Sequence, residues 1–215
     1  MSTIISGSSP SVTFSDGTTQ TTALPTPGTS GNVPVSNGTA WVSQAPVSGA
    51  MTLISTQTAS SSASLSWTGL ATYDNYLLVL ENLNCGDNIL LQTGTGAGPT
   101  YATSGYIYSG YYTYATSSSA GANAFTNINS LSSTNGIIIT AGGAFSNGTI
   151  TNVSMTGFLS NTFTLYSASA SYNGTRVYAG YTGGTNNTSG TTTAIKLLPV
   201  SGTLTGKASL YGISS

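Results

Sequence analysis

Histidine is absent from this chain of 215 residues, cysteine occurs once, and only three Lys/Arg and four Asp/Glu are present. Charged residues are therefore 3% of the chain, where an ordinary soluble domain has about 25%. Without histidine there can be no Ser-His-Asp or Cys-His nucleophile, no His-containing zinc site and no imidazole acid–base chemistry. One cysteine, Cys85, excludes an internal disulfide framework and a thiolate metal cluster, and it reads as a small, semi-apolar filler beside a turn. Arg176, Lys196 and Lys207 are too few and too scattered for the counterion release that nucleic-acid binding requires. No apolar run approaches the ~20 residues of a membrane-spanning helix, and residues 1–10 lack the basic and apolar parts of a signal peptide, so neither membrane insertion nor conventional secretion is expected. The glycine-rich stretch 93–98 has no lysine and no following helix to cradle a phosphate. It reads as a flexible loop, and no cofactor is expected.

Hydroxyls take the place of charges. Ser and Thr together make up 72 residues, and there are 27 Gly and 13 Tyr. A net charge of −1 with repeated Leu/Ile/Val/Tyr clusters is not the composition of a disordered chain. Residues 1–50 hold five of the seven prolines and few bulky apolar residues, which predicts an extended arm. Within it, Val12-Thr13-Phe14-Ser15-Asp16-Gly17-Thr18 is echoed 21 residues later by Val33-Pro34-Val35-Ser36-Asn37-Gly38-Thr39. Both copies alternate apolar with polar residues and end in Asp-Gly or Asn-Gly, the pairs that tolerate a type I′ turn, so each is expected to be a small hairpin. A lone two-stranded hairpin is marginal in water and must lean on a neighbour.

From residue 51 onward, short β-prone runs recur between turn signals: 51–54, 65–67, 76–80, 89–91, 137–139, 150–159, 163–166, 176–178, 195–198 and 204–213. None has the length or the 3.6-residue period of a helix. With Asn-Gly at 135–136, 147–148 and 173–174, residues 51–215 read as an antiparallel β-sandwich or jelly roll. The expected core is Leu53, Trp67, Leu78, Leu80, Leu90, Ile138, Phe158, Phe163, Leu165, Val177, Leu197 and Leu210. Sandwiches guard unpaired edges with Lys, Glu or Pro. Six charges beyond residue 50 cannot guard so many strands, which predicts that other subunits cover the edges in an obligate homo-oligomer or larger assembly.

The carboxylates offer little chemistry. Asp74 and Glu81 would lie more than ~20 Å apart on an extended strand, and only Glu81 and Asp87 could meet across a turn. A Ca²⁺ site at Asp87 and Asn88 is outweighed by the ordinary turn role of such residues. No enzymatic activity is therefore expected. The most distinctive segment runs from Tyr101 to Tyr114. Tyrosine presents a flat face to a sugar ring and a hydroxyl to hydrogen-bond it, so Tyr106, Tyr108, Tyr111, Tyr112 and Tyr114 are the candidate receptor- or glycan-binding residues. Tyrosine also suits strands for its own sake, with Tyr106 and Tyr108 expected on one face and Tyr112 and Tyr114 on another.

Two stretches carry a family resemblance. Residues 12–23 with 31–42 resemble the short repeated modules in the shafts of tailed-bacteriophage fibre and appendage proteins. Residues 73–80 with 101–106 and 204–213 are similar to a β-rich terminal domain of phage structural proteins. The resemblance implies a virion component on the tail or head surface, commonly a homotrimer, attached to other virion proteins through its N-terminal arm with the C-terminal domain outward. Ile4, Ile5, Val12 and Phe14 are then the candidate docking contacts, and host-surface saccharide is the ligand implied for the tyrosines. The shaft is short for a long tail fibre. A short fibre or tail appendage that contributes to host attachment therefore stands beside a capsid decoration or head-fibre protein with a purely structural role.

Overall fold

The computed structural model describes residues 12–13, 15–17, 19–20, 31–45, 50–116, 119–133, 135–140, 149–160, 162–172, 176–187 and 190–214. The chain divides into two compact units, Met1–Ser48 and Gly49–Ser215. Every regular element among the described residues is a β-strand.

In the first unit, β1 (Val12–Thr13) pairs antiparallel with β2 (Thr19–Gln20), and β3 (Val33–Ser36) with β4 (Trp41–Gln44). The turns are not type I′, because Asp16 and Asn37 do not take a positive φ. Ser36 opposes Trp41, which leaves a four-residue loop. There the Asn37 carboxamide oxygen accepts the N–H groups of Thr39 (3.0 Å) and Ala40 (2.8 Å), and Gly38 takes the positive φ. An Asx turn thus replaces the mirror-image turn. Val33 and Trp41 are exposed on this hairpin. Of the candidate docking residues, Ile4, Ile5 and Phe14 and the side chain of Val12 lie outside the described residues.

The second unit is an all-β antiparallel sandwich. Its strands are β5 (Met51–Ser62), β6 (Leu65–Thr68), β7 (Asn75–Asn84), β8 (Ile89–Thr95), β9 (Thr100–Tyr101), β10 (Tyr106–Thr116), β11 (Ser119–Ser133), β12 (Ile137–Ile138), β13 (Thr149–Thr156), β14 (Thr164–Tyr172), β15 (Arg176–Asn186), β16 (Ala194–Pro199) and β17 (Leu204–Ile213). One sheet has the order β11-β10-β15-β14-β13-β7-β17-β5 and the other β12-β8-β16-β6, with β9 beside β8. Setting aside β9 and two hairpins leaves eight strands, β5, β6, β7, β8, β12, β13, β16 and β17. The first, eighth, third and sixth of these form one sheet, and the second, seventh, fourth and fifth form the other. That is the jelly-roll order. The hairpins β10–β11 and β14–β15, inserted between the fourth and fifth and between the sixth and seventh strands, extend the first sheet beyond β13.

The alternation of each strand fixes what is buried. Leu78 and Leu80 of β7, Val153 and Met155 of β13 and Leu210 of β17 point inward to meet Leu65, Trp67, Leu91, Ile195 and Leu197 of the smaller sheet. Tyr76, Phe158 and Phe163 form an aromatic cluster within this core, with ring centroids 4.5 and 5.5 Å apart. Asp74 holds the nearby turn, because its carboxylate accepts Leu159 N–H at 2.9 Å. Between Asn82 (φ 50°) and Gly206 (φ 133°) a bulge brings the two backbones together. A Cβ on Gly206 would collide with the Asn82 carbonyl. The bulge also changes the alternation in β7, so Leu83 and Cys85 are buried after Leu80.

Nine of the twelve expected core residues are buried, with Leu90 outside the main cluster. Leu53 is exposed because Ile54 is the extra residue of a bulge and Leu53 opposes Tyr211 on the outer face. Val177 also points outward, since Tyr178 takes the inward position on β15, and Ile138 yields the interior to Ile137 and Ile139. Residues 93–95 are not loop: Thr93 and Gly94 are buried in β8, and Gly94 lies against the ring of Tyr101.

Candidate ligand-binding face

The tyrosine segment forms β10, paired without interruption to β15 from Tyr106 to Thr116. An unbroken strand places all even positions on one side. Tyr106, Tyr108, Tyr112 and Tyr114 therefore share the inner face, in place of the expected division, and Tyr111 alone of the five points outward. Tyr106 is fully buried. Its hydroxyl accepts Thr93 N–H (3.0 Å) and donates to the Ala102 carbonyl (2.9 Å), and burial raises its pKa above the usual tyrosine value. It is a core residue and presents no ring to a ligand. Tyr108 packs against the core opposite Gly184. Tyr112 and Tyr114 pack on Tyr178, with centroids 6.1 and 5.6 Å away.

The outward position of Tyr111 assembles a different group. Tyr181 lies directly opposite on β15, with ring centroids 4.2 Å apart and the planes at 65°. Tyr166 of β14 follows at 6.0 Å from Tyr181. Tyr166 is 52% and Tyr181 40% exposed, and Ile150 beyond them is 65% exposed. The hydrogen bond between Tyr111 and Tyr181, followed by partial desolvation and the two neighbouring phenols, raises the pKa of Tyr181. A shallow depression of about 440 Å³ lies among these rings, with Ala168, Ala179 and Asn152 in its lining. A second, of about 780 Å³, is lined by Ile107, Ser109, Asn129, Thr164, Gly183 and Thr185. Gly183 opposes both Ser109 and Tyr166, so this row of the sheet joins the two depressions. No charged residue lines either.

The carboxylates have local structural roles. Asp74 anchors the turn after β13, and Asp87 accepts Asn88 N–H at 2.7 Å. The buried Cys85 thiol donates to the Asp87 carbonyl, and burial raises its pKa. Glu81 is exposed and opposes Lys207 across the sheet. Among the described residues no group of three or more His, Cys, Asp or Glu converges. Tyr166, Tyr181 and Gly183 are the site residues that sequence reasoning misses. Alternation within each strand would have placed them outward, but their meeting with Tyr111 depends on β14 and β15 pairing beside β10.

No family model matches the chain, and no curated protein matches it. Among solved structures it is similar to one titled "Structure of infectious bursal disease virus Gt strain", at 12% identity and a TM-score of 0.12, over 84% of this chain and 47% of that one. The chain thus spans less than half the length of that structure's chain, and a TM-score so low does not define a shared fold.

Proposed function

We propose that this chain is a structural and adhesive subunit of a tailed-bacteriophage particle. In this reading it forms a short homotrimeric fibre or tail appendage, held to the virion by residues 1–50 and contributing to host-surface attachment through the sandwich. The observation that carries it is the state of the sheet edges. The edge strands β5, β11, β6 and β12 contain no charged residue, and β5 and β11 are 12 and 15 residues long. Long unguarded edges recruit further strands or neighbouring subunits. A protein that lives as one of several copies on a particle turns that property to use. The β3–β4 hairpin of the arm exposes Val33 and Trp41, apolar surface suited to docking. The outward tyrosines add an uncharged aromatic face of the kind that binding surfaces use. Chemistry at the carboxylates has no part in this reading.

Labelling the chain on purified particles tests the location. Signal on the tail supports the appendage, whereas signal confined to the head favours the decoration or head-fibre alternative. Absence from the particle contradicts both.

A further inference from the structure

Gly183 occupies a position that requires no glycine. It lies inside β15, does not adopt a positive φ, and a Cβ built on it would meet only the Leu165 carbonyl oxygen, at 4.0 Å. Its neighbours differ. A Cβ on Gly180 would strike Tyr112, and one on Gly184 would strike Tyr108 and Ile137. Those two glycines admit the close approach of β10 and, at Gly184, of Ile137. Gly183 faces outward, between Ser109 and Tyr166, and leaves bare backbone at the floor where the two depressions join. A glycine in mid-strand without an internal reason marks a place where something outside approaches the backbone closely.

We infer that the Ser109–Gly183–Tyr166 row is a binding site for a neutral saccharide, with Gly183 as the floor against which a sugar ring lies and Tyr166 as the aromatic wall beside it. Three observations select this ligand class. The lining has no charge, so it offers no counter-ion to the carboxylate or sulfate of an anionic sugar. The exposed rings of Tyr166 and Tyr181 offer apolar faces to the C–H side of a pyranose. Polar groups that can exchange hydrogen bonds with sugar hydroxyls stand around them: Asn152 at one depression, Thr164 and the Ser109–Asn129 pair (2.9 Å) at the other. The inference rests on the attachment reading only for where such a sugar would be met.

The test uses the full chain against two sets of oligosaccharides of two to six units, one of neutral hexoses and N-acetylhexosamines, the other bearing sialic or uronic acids. Saturation-transfer NMR and calorimetry report binding. At least one neutral oligosaccharide should bind, and Gly183→Val and Tyr166→Ala should each weaken it at least tenfold with the melting temperature held within a few degrees. Val177→Ala, exposed on β15 outside both depressions, should leave affinity unchanged. Absence of binding to the neutral set, binding only to the acidic set, or full affinity in Gly183→Val overturns the inference. So does an oligomer that dissociates in the Gly183 and Tyr166 variants, because the row is then an interface between copies. A protein that joins the particle without binding sugar removes this inference alone. One that binds sugar but is absent from particles removes the virion reading and leaves the site.

Discussion

Tyr106→Phe removes the acceptor for Thr93 N–H and the donor to the Ala102 carbonyl in a fully buried place. The variant should lose about 1–3 kcal/mol of stability in chemical denaturation, the cost of stranding buried polar groups. Tyr106→Ala should lose about 3–5 kcal/mol, while Tyr166→Ala, on an exposed ring, should lose far less. Burial raises the pKa of Tyr106 and of Tyr76 in the folded state. The folded protein therefore holds those protons more tightly than the unfolded chain does. That stabilisation is complete below the ordinary tyrosine pKa of about 10 and is lost as the pH rises from there through the folded values. Melting temperatures measured from pH 8 to 12 should fall above about pH 10, and the fall should be shallower, from a lower starting point, in Tyr106→Phe. An equal slope would contradict the assignment. The tyrosines themselves were legible in the sequence. Which of them face outward was not, because that depends on reading 106–116 as one unbroken strand, and which outward rings meet depends on neighbours more than 50 residues away in the chain.

At the scale of the element, most strands announce themselves by apolar runs, and β7, β13, β16 and β17 lie where the alternation puts them. The strand β11 does not, since its sequence is Ser, Ala, Asn and Gly with few large apolar residues, and it forms because β10 offers it a ladder. Bulges are also hidden from the pattern. The extra residue at Ile54 turns Leu53 outward, and the Asn82–Gly206 bulge shifts the alternation of β7. Gly206→Ala should therefore cost more than 2 kcal/mol in denaturant unfolding, since it combines a positive φ with a backbone collision. A neutral result would contradict a close backbone approach at this bulge. In contrast, Leu53→Lys with Ile54→Lys places charges on exposed positions of the edge strand β5. The folded sandwich should keep its melting temperature within a few degrees while self-association weakens, which size-exclusion chromatography with light scattering would register.

For the whole molecule, the all-β class follows from run length and turn spacing, and the jelly-roll order follows once the chain is seen to cross between sheets after β5, β6, β7, β9, β11, β12, β15 and β16. The two inserted hairpins were not foreseeable, because strand count alone does not say which sheet accepts an extra pair. They widen one sheet to eight strands, and its outer face carries Tyr111, Tyr166 and Tyr181 while its two edges remain uncharged. Deleting residues 1–50 should leave the sandwich folded, as judged by a cooperative melt, because its core is formed within the second unit. The truncated chain should no longer join particles, and normal incorporation would place docking elsewhere. Burial of weakly polar surface is not screened by salt, whereas exposed ion pairs are. Sedimentation equilibrium of the full chain at micromolar concentration, in 0.1 M and in 1 M salt, should give the mass of a trimer in both, and a monodisperse monomer in either would contradict the homotrimer.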